Sequence, residues 1–259
     1  MPHLTPYLSY LPYLSYPSYL SYPSYLSYPS YLSYHPPRMT IRHREASRLE
    51  GFSDAVFGFA LTLLVVSLET PKTFTELREL LQQFLPFALT FSMVCWIWYE
   101  HNLFFRRYGL QDAFTVFLNC ILLFVVLFYV YPLKFLTSAL VDTFIYRRSG
   151  LQGSEADGRM LMWLYSLGVL LIFLTFIALH VHAWRQRKAL ALTPDESLQL
   201  QYRIRSHGIS AGLAMVSLLL VWLLPRQLAF AGLVYALMGP LHAWNGYAAG
   251  KAQAGLAKS

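Results

Sequence analysis

Residues 1–37 show neither helical nor strand periodicity, and the rest of the chain alternates between apolar runs and short charged segments. Six runs stand out, over about residues 51–68, 84–105, 113–136, 160–184, 207–224 and 228–247. Each is about 18–25 residues long, the length a helix needs to cross a hydrocarbon layer about 30 Å thick. Pro71 closes the first run, and residues 72–79 form an amphipathic, charged loop. Arg106 and Arg107 cap the loop after the second run, and Pro132 falls near the far end of the third. The polar, glycine-containing stretch to about Gly158 separates the third run from the fourth. Thr193-Pro194-Asp195-Glu196 is a helix-start signature, so a helix outside the membrane is expected to lead into the fifth run. Pro225-Arg226-Gln227 predicts a tight hairpin between the fifth and sixth. The pattern predicts an all-α integral membrane protein with six transmembrane helices.

Composition agrees. The chain is 56% hydrophobic and 13% charged, whereas soluble domains carry about 25% charged residues. The formal charge of +7 comes from basic residues that flank apolar runs without forming blocks, which reads as topology and gives no footprint for a nucleic-acid partner. With both termini on one side, the groups there are Arg38, Arg42, Arg44, Arg48, Arg106, Arg107, Arg185, Arg187, Lys188, Arg203, Arg205, Lys251 and Lys258. The other side holds Lys72, Arg78, Lys134, Arg147, Arg148, Arg159 and Arg226, so the 20 basic residues divide 13 to 7. The positive-inside rule then places both termini in the cytoplasm. Cys95 and Cys120 lie inside apolar runs without partners for a disulfide or a zinc site, and are expected to be packing residues. In the opening stretch tyrosine recurs every third residue from Tyr7 to Tyr34, with prolines that forbid a continuous helix. Residues 1–38 are expected to be a low-complexity, disordered tail without a role, Met39 being a plausible natural start. Residues 39–250 then form the membrane domain and 251–259 a short cytoplasmic tail.

The chemistry concentrates in residues 48–69, RLEGFSDAVFGFALTLLVVSLE. At about 100° per residue, Ala55, Phe59, Thr62, Leu63 and Val66 share an arc of about 100°, while Asp54 lies about 140° from Phe59. One helix thus carries an apolar stripe with a single hydroxyl and, elsewhere, an acid aimed into its own bundle. The stripe could be ordinary helix packing, with Thr62 bonded to its own backbone. An Asp at the mouth of an apolar run is costly to bury unless paired. His101 and Asn102, where the second run leaves the membrane, should lie at the depth of Ser53 and Asp54. Asp54 could accept from His101, Asn102 or an indole N–H, with Arg48 closing the network. Asn119, about two turns inside the third run, is expected to tie helices together. His180, His182 and His242 lie near tryptophans at the ends of runs and suit interfacial placement better than a metal site. The histidines of LHVHAW project apart on a helix, and no Cys or carboxylate adjoins them. Nucleotide-binding, metallopeptidase and nucleophile-elbow motifs are absent, as is a TVGYG-type filter. No enzyme activity, cofactor or metal is expected.

Arg48-x-x-x-Phe52-Ser53-Asp54, followed by Ala60-Leu61-Thr62-Leu63-Leu64-Val65, resembles the first transmembrane helix of the bacterial homologues of the lysosomal/endosomal potassium channel family. The similarity continues more loosely through Trp98, His101-Asn102, Leu118-Asn119 and Pro132, and fades beyond about residue 140. The resemblance implies six-helix subunits assembled as homotetramers around the first helix in a bacterial plasma membrane. Potassium selectivity would come from side chains of that helix rather than from carbonyl oxygens. Carried over by position, the pore would be lined by Phe59, Thr62, Leu63 and Val66. Arg48, Phe52, Ser53 and Asp54 would hold the helix from behind, in a polar network with His101, Asn102 and Asn119. Family members usually carry an aliphatic residue at the position of Phe59, so a bulkier constriction is implied here. Two other readings remain open: a proton-coupled transporter exchanging protons between Asp54 and His101, and a non-conducting membrane scaffold.

Overall fold

The computed structural model describes residues 46–147, 154–224 and 226–256. The opening tyrosine repeat, and with it the expected tail over 1–38, lies outside the described residues. Among the described residues the chain forms α-helices, one 3₁₀ turn and no strand.

Helix α1, Arg48–Val66, starts at a capping box in which the Ser47 hydroxyl accepts from the Glu50 N–H and the Glu50 carboxylate accepts from the Ser47 N–H. It ends at Ser67, four residues before Pro71. The loop expected over 72–79 is instead mostly helix: α2, Phe74–Gln82, is capped by the Thr73 side chain, which accepts from the Glu76 N–H. Leu77 and Leu81 one turn apart give it an apolar edge that periodicity over so short a stretch did not separate from a loop. Helix α3, Phe84–Tyr108, follows almost at once, bent 42° from α2. Gly109 ends α3 in the left-handed conformation, φ 59°, where a side chain would be strained.

Helix α4, Ala113–Phe144, is capped by Asp112 and runs through Pro132, a turn or two beyond the expected end of the third run. Helix α5, Glu155–Arg185, opens at a Ser154–Asp157 capping box. Helix α6, Pro194–Leu223, opens at a Thr193–Glu196 box with Pro194 in its first turn. The helix expected outside the membrane before the fifth run is therefore its direct continuation. The sixth run is broken into α7, Leu228–Leu233, a 3₁₀ turn over Val234–Leu237, and α8, Met238–Leu256.

Four described helices are long and apolar enough to cross a membrane: α1, α4, α5 and α6. The bent pair α2–α3 makes a fifth if it counts as one span. Helix α1 rests on α3 and α4, which pack on each other; α4 carries α5, α5 packs along α6, and α6 carries α7 and α8. The core runs through these contacts, with Phe57, Leu64, Phe104, Phe105, Leu122, Phe176 and Leu179 almost wholly buried. Where the surroundings are lipid, apolar burial gives little net drive, and close packing with interhelical hydrogen bonds decides how the helices meet.

Candidate functional site: the two faces of the first helix

The buried residues of α1 are Glu50, Ser53, Phe57, Ala60 and Leu64. Their spacing of three and four is one helical face, and it lies against α3 and α4. On the opposite side Ala55, Phe59, Thr62 and Val66 are exposed, Phe59 at 57% and Val66 at 69%, with Leu63 half-buried at the margin. Phe52, 56% exposed, falls on this outer face in line with Phe59 and not on the side that Ser53 occupies. The outer face thus carries two aromatic rings, aliphatic groups and one hydroxyl. Thr62 Oγ1 donates to the Gly58 carbonyl at 2.8 Å. Its hydrogen is spent on the backbone, and the rest of the oxygen remains available as an acceptor.

Behind this face, polar side chains fasten α1 to its neighbours. Ser53 Oγ donates to the Leu49 carbonyl, 2.9 Å, and accepts from Asn119 Nδ2, 2.9 Å. Asn119 Oδ1 lies 2.7 Å from His101 Nε2. Because that amide oxygen only accepts, His101 carries a proton on Nε2. All three side chains are buried, and His101 is held between the rings of Phe57 and Phe105, with centroids 5.5 and 4.7 Å away. His101 Nδ1 has no hydrogen-bond partner among the described residues. Asp54 pairs elsewhere: its Oδ1 accepts from the Trp98 indole N–H at 2.7 Å. Trp98 and His101, three residues apart on α3, therefore grip Asp54 directly and Ser53 through Asn119. Arg48 is exposed and Asn102 half-buried, and neither bonds to Asp54 among the described contacts.

The far end of α1 is held too. Lys134 Nζ on α4 donates to the Ser67 hydroxyl at 2.7 Å and to the Ser67 carbonyl at 3.2 Å. A cation at a helix C-terminus also offsets the partial negative charge there. Between α3 and α4, the Thr90 and Thr137 hydroxyls meet at 2.7 Å, and Thr90 donates to the Pro86 carbonyl.

Several polar contacts were not foreseen in the sequence. Arg203 Nη1 on α6 meets both oxygens of Glu100 on α3, at 2.8 and 2.7 Å, with both side chains largely buried. The charge of Glu100 within the mostly apolar α3 was the available signal, because Arg203 lies in a polar stretch of α6. His180, expected at an interface, is in the core, where its Nδ1 donates to the Phe176 carbonyl and its ring lies 4.8 Å from that of His207. The His242 ring lies between the hydroxyls of Ser206 and Ser210, each at 3.0 Å. His182 Nε2 meets Asp112 Oδ2 at 3.0 Å, outside the core. Burial opposes ionisation of Asp112, but hydrogen bonds from His182 and Thr115 outweigh it and hold the carboxyl down at about 2. Among the described residues no group of three or more His, Cys, Asp or Glu is placed to hold a metal. Cys95 is half-buried and Cys120 exposed, both free.

Comparisons with known proteins bear on the same stretch. The family model described as endosomal/lysosomal potassium channel TMEM175 matches residues 48–129. A potassium channel of Marivirga tractuosa is 35% identical over 221 residues, covering 79% of this chain and 88% of that protein. One from Chamaesiphon minutus is 26% identical over 191 residues, 69% of this chain and 87% of its own length. Among solved structures, the fold is similar to that of the potassium channel MtTMEM175, crystallised as a threonine-to-alanine variant with a nanobody–MBP fusion. The TM-score is 0.73 at 34% identity, over 83% of this chain and 98% of that one. A lysosomal potassium-selective channel TMEM175 homolog from Chamaesiphon minutus shares the fold at TM-score 0.53 and 22% identity, over 76% of this chain and 96% of that one.

Proposed function

The chain belongs to the TMEM175 family of potassium channels, and on that premise we propose that it is a potassium-permeable channel whose pore is lined by the outer face of α1. The observation that carries this reading is the division of α1 into a face committed to its own subunit and an exposed stripe of Phe59, Thr62, Leu63 and Val66. Four copies of that stripe around a common axis, in a homotetramer, make a narrow and poorly wetted passage, the kind that gates by dewetting.

In this arrangement Phe59 is the bulkiest group on the stripe and forms the constriction. Thr62, one turn further along, contributes the stripe's one hydroxyl oxygen to a potassium ion that has shed part of its hydration. Its bond to the Gly58 carbonyl directs its proton away from the ion. The polar groups behind α1 act as positioning residues that keep the stripe turned outward. The subunit spans the membrane six times, with α2–α3 as one bent span and α7–α8 as the last. Both termini lie in the cytoplasm, and the membrane is the bacterial plasma membrane. The tyrosine-rich opening stretch has no part in conduction. Proton exchange between Asp54 and His101 finds no support in the geometry, since Asp54 is bonded to Trp98 and His101 to Asn119.

Single-channel currents and bi-ionic reversal potentials in planar bilayers test the assignment. Phe59→Asn should raise conductance with most of the ion preference kept, because it widens and wets the constriction. Thr62→Val, nearly isosteric, should move the potassium/sodium reversal potential towards zero. A Phe59→Asn channel that conducts no better than the parent, or a Thr62→Val channel with the parent's reversal potential, removes the corresponding role.

A further inference from the structure

Helices α3, α4, α5, α6 and α8 line a cavity of about 300 Å³ to which α1 contributes no wall residue. Its walls include Val94 and Ile97 of α3, Val126 and Val130 of α4, and Val169 and Ile172 of α5. Helix α6 contributes Ser210 and α8 contributes His242, whose ring lies between the hydroxyls of Ser206 and Ser210. Both ring nitrogens are thereby within reach of hydroxyls, so the histidine offers the cavity little beyond its carbon edge.

We propose that this cavity is a binding site for one acyl chain of a membrane phospholipid. Protein interiors are packed like organic crystals and hold few voids larger than a water molecule. Apolar cavities of half this size stay dry and take up hydrocarbon, and about 300 Å³ is the lower end of the range for small-molecule sites. Water is disfavoured as the occupant because the Tyr129 hydroxyl is the one buried side-chain polar atom of the lining without a partner among the described residues, short of the two to four partners an ordered water needs. A helix, about 10–12 Å across with its side chains, is excluded by the size of the space. An unbranched hydrocarbon chain fits both limits.

The way in lies on α3. Most of the wall is buried, but Met93 is 41% and Trp96 46% exposed. The Trp96 ring lies 5.9 Å from that of Phe173 on α5, so an exposed wall residue of α3 meets a buried one of α5. Helix α3 touches α5 only sparsely and meets α6 through the Glu100–Arg203 pair. That leaves a lateral cleft through which a chain can enter from the bilayer. The walls α3 and α4 are also the helices that carry α1, so an occupant would touch the support of the proposed pore. The membrane setting of this site rests on the reading above; the presence of the ligand is measured without any current.

The test uses the full-length protein in phosphatidylcholine vesicles in which a fraction of the lipid carries a photoactivatable diazirine at mid-chain, followed by peptide mapping. Labelling should appear on wall residues such as Val130 and Ile172, in addition to the outward-facing Phe124, Phe128 and Leu174. Val169→Phe should abolish labelling of the wall and leave that of the outward-facing residues intact. If that variant does not assemble, Val169→Leu should reduce wall labelling in the same direction. Label confined to outward-facing residues in the parent would mean that the cavity is empty or closed by a neighbouring copy of the chain, and would overturn the proposal. So would wall labelling that Val169→Phe and Val169→Leu leave unchanged. Wall labelling in a protein that passes no current would uphold this site and count against the channel reading alone.

Discussion

Replacing Asn119 by Leu keeps the side-chain size and removes the amide that joins α1 to α3 through α4. Two buried hydrogen bonds are lost, at 2.9 Å to Ser53 and 2.7 Å to His101. The consequences for the two partners differ. Ser53 keeps its bond to the Leu49 carbonyl and loses only a donor to its oxygen. The His101 ring is stranded, since Nε2 loses its acceptor and Nδ1 has no partner among the described residues. An orphaned buried polar group costs about 1–3 kcal/mol, while interhelical hydrogen bonds in membranes average about 0.6 kcal/mol. A loss of about 1–3 kcal/mol is therefore expected, corresponding to a fall of roughly 2–10 °C in Tm for a protein of this size.

The assay is thermal denaturation in detergent, followed by loss of the assembled peak in fluorescence-detected size exclusion. His101→Phe, which leaves an aromatic ring between Phe57 and Phe105, completes a double-mutant cycle. The His101→Phe/Asn119→Leu protein should be destabilised by at least about 1 kcal/mol less than the sum of the single variants, because no imidazole remains to be orphaned. Additivity within about 0.5 kcal/mol, the behaviour of independent sites, would refute the argument that the Asn119–His101 bond is what the amide is there to make.

Arg203→Met should cost about 3–5 kcal/mol by stranding the buried Glu100 carboxylate, whereas Glu100→Gln/Arg203→Met should return most of it; a double variant no better than Arg203→Met in the same thermal assay contradicts this. Asp54→Ala and Trp98→Phe each delete the same hydrogen bond, so both should reduce assembly by a similar amount, about 1 kcal/mol, and leave ion preference unchanged. An assembled Asp54→Ala channel with altered reversal potential would put Asp54 on the pore side. Asp112 has a folded value of about 2 against an ordinary 3.8, so its contribution to stability is fully present above about pH 4 and lost as pH falls through about 2. Asp112→Asn should therefore melt below the parent at neutral pH and converge with it between pH 4 and 2; a constant gap across that window would mean that the carboxylate is not the source.

The sequence by itself determined most of the long helices and the two faces of the first one. Apolar runs of spanning length, the Thr193–Glu196 start signature and the three-and-four spacing along residues 48–69 are local patterns fixed by the helical repeat. They located α1, α4, α5 and α6, and separated the Phe59–Thr62–Val66 stripe from Asp54. The resemblance of the same stretch to a potassium-channel family survived comparison with whole proteins.

What waits behind the inward face of α1 was decided by tertiary structure alone. The motif sets Phe52 beside Ser53, yet a step of one residue turns a side chain about 100° and puts it on the other face. Asp54 could have met His101 or an indole N–H, and only the rotation of α3 about its axis gave it Trp98 and left His101 to Asn119. Glu100 and Arg203 are 103 residues apart, with no pattern to connect them until α3 and α6 are set side by side. The deeper reason is the solvent. Helices α4 and α5 are apolar nearly all round, so hydrophobicity has no preferred direction to report. In hydrocarbon the contacts are chosen by shape and by a few buried polar pairs, which exist only once the helices have met.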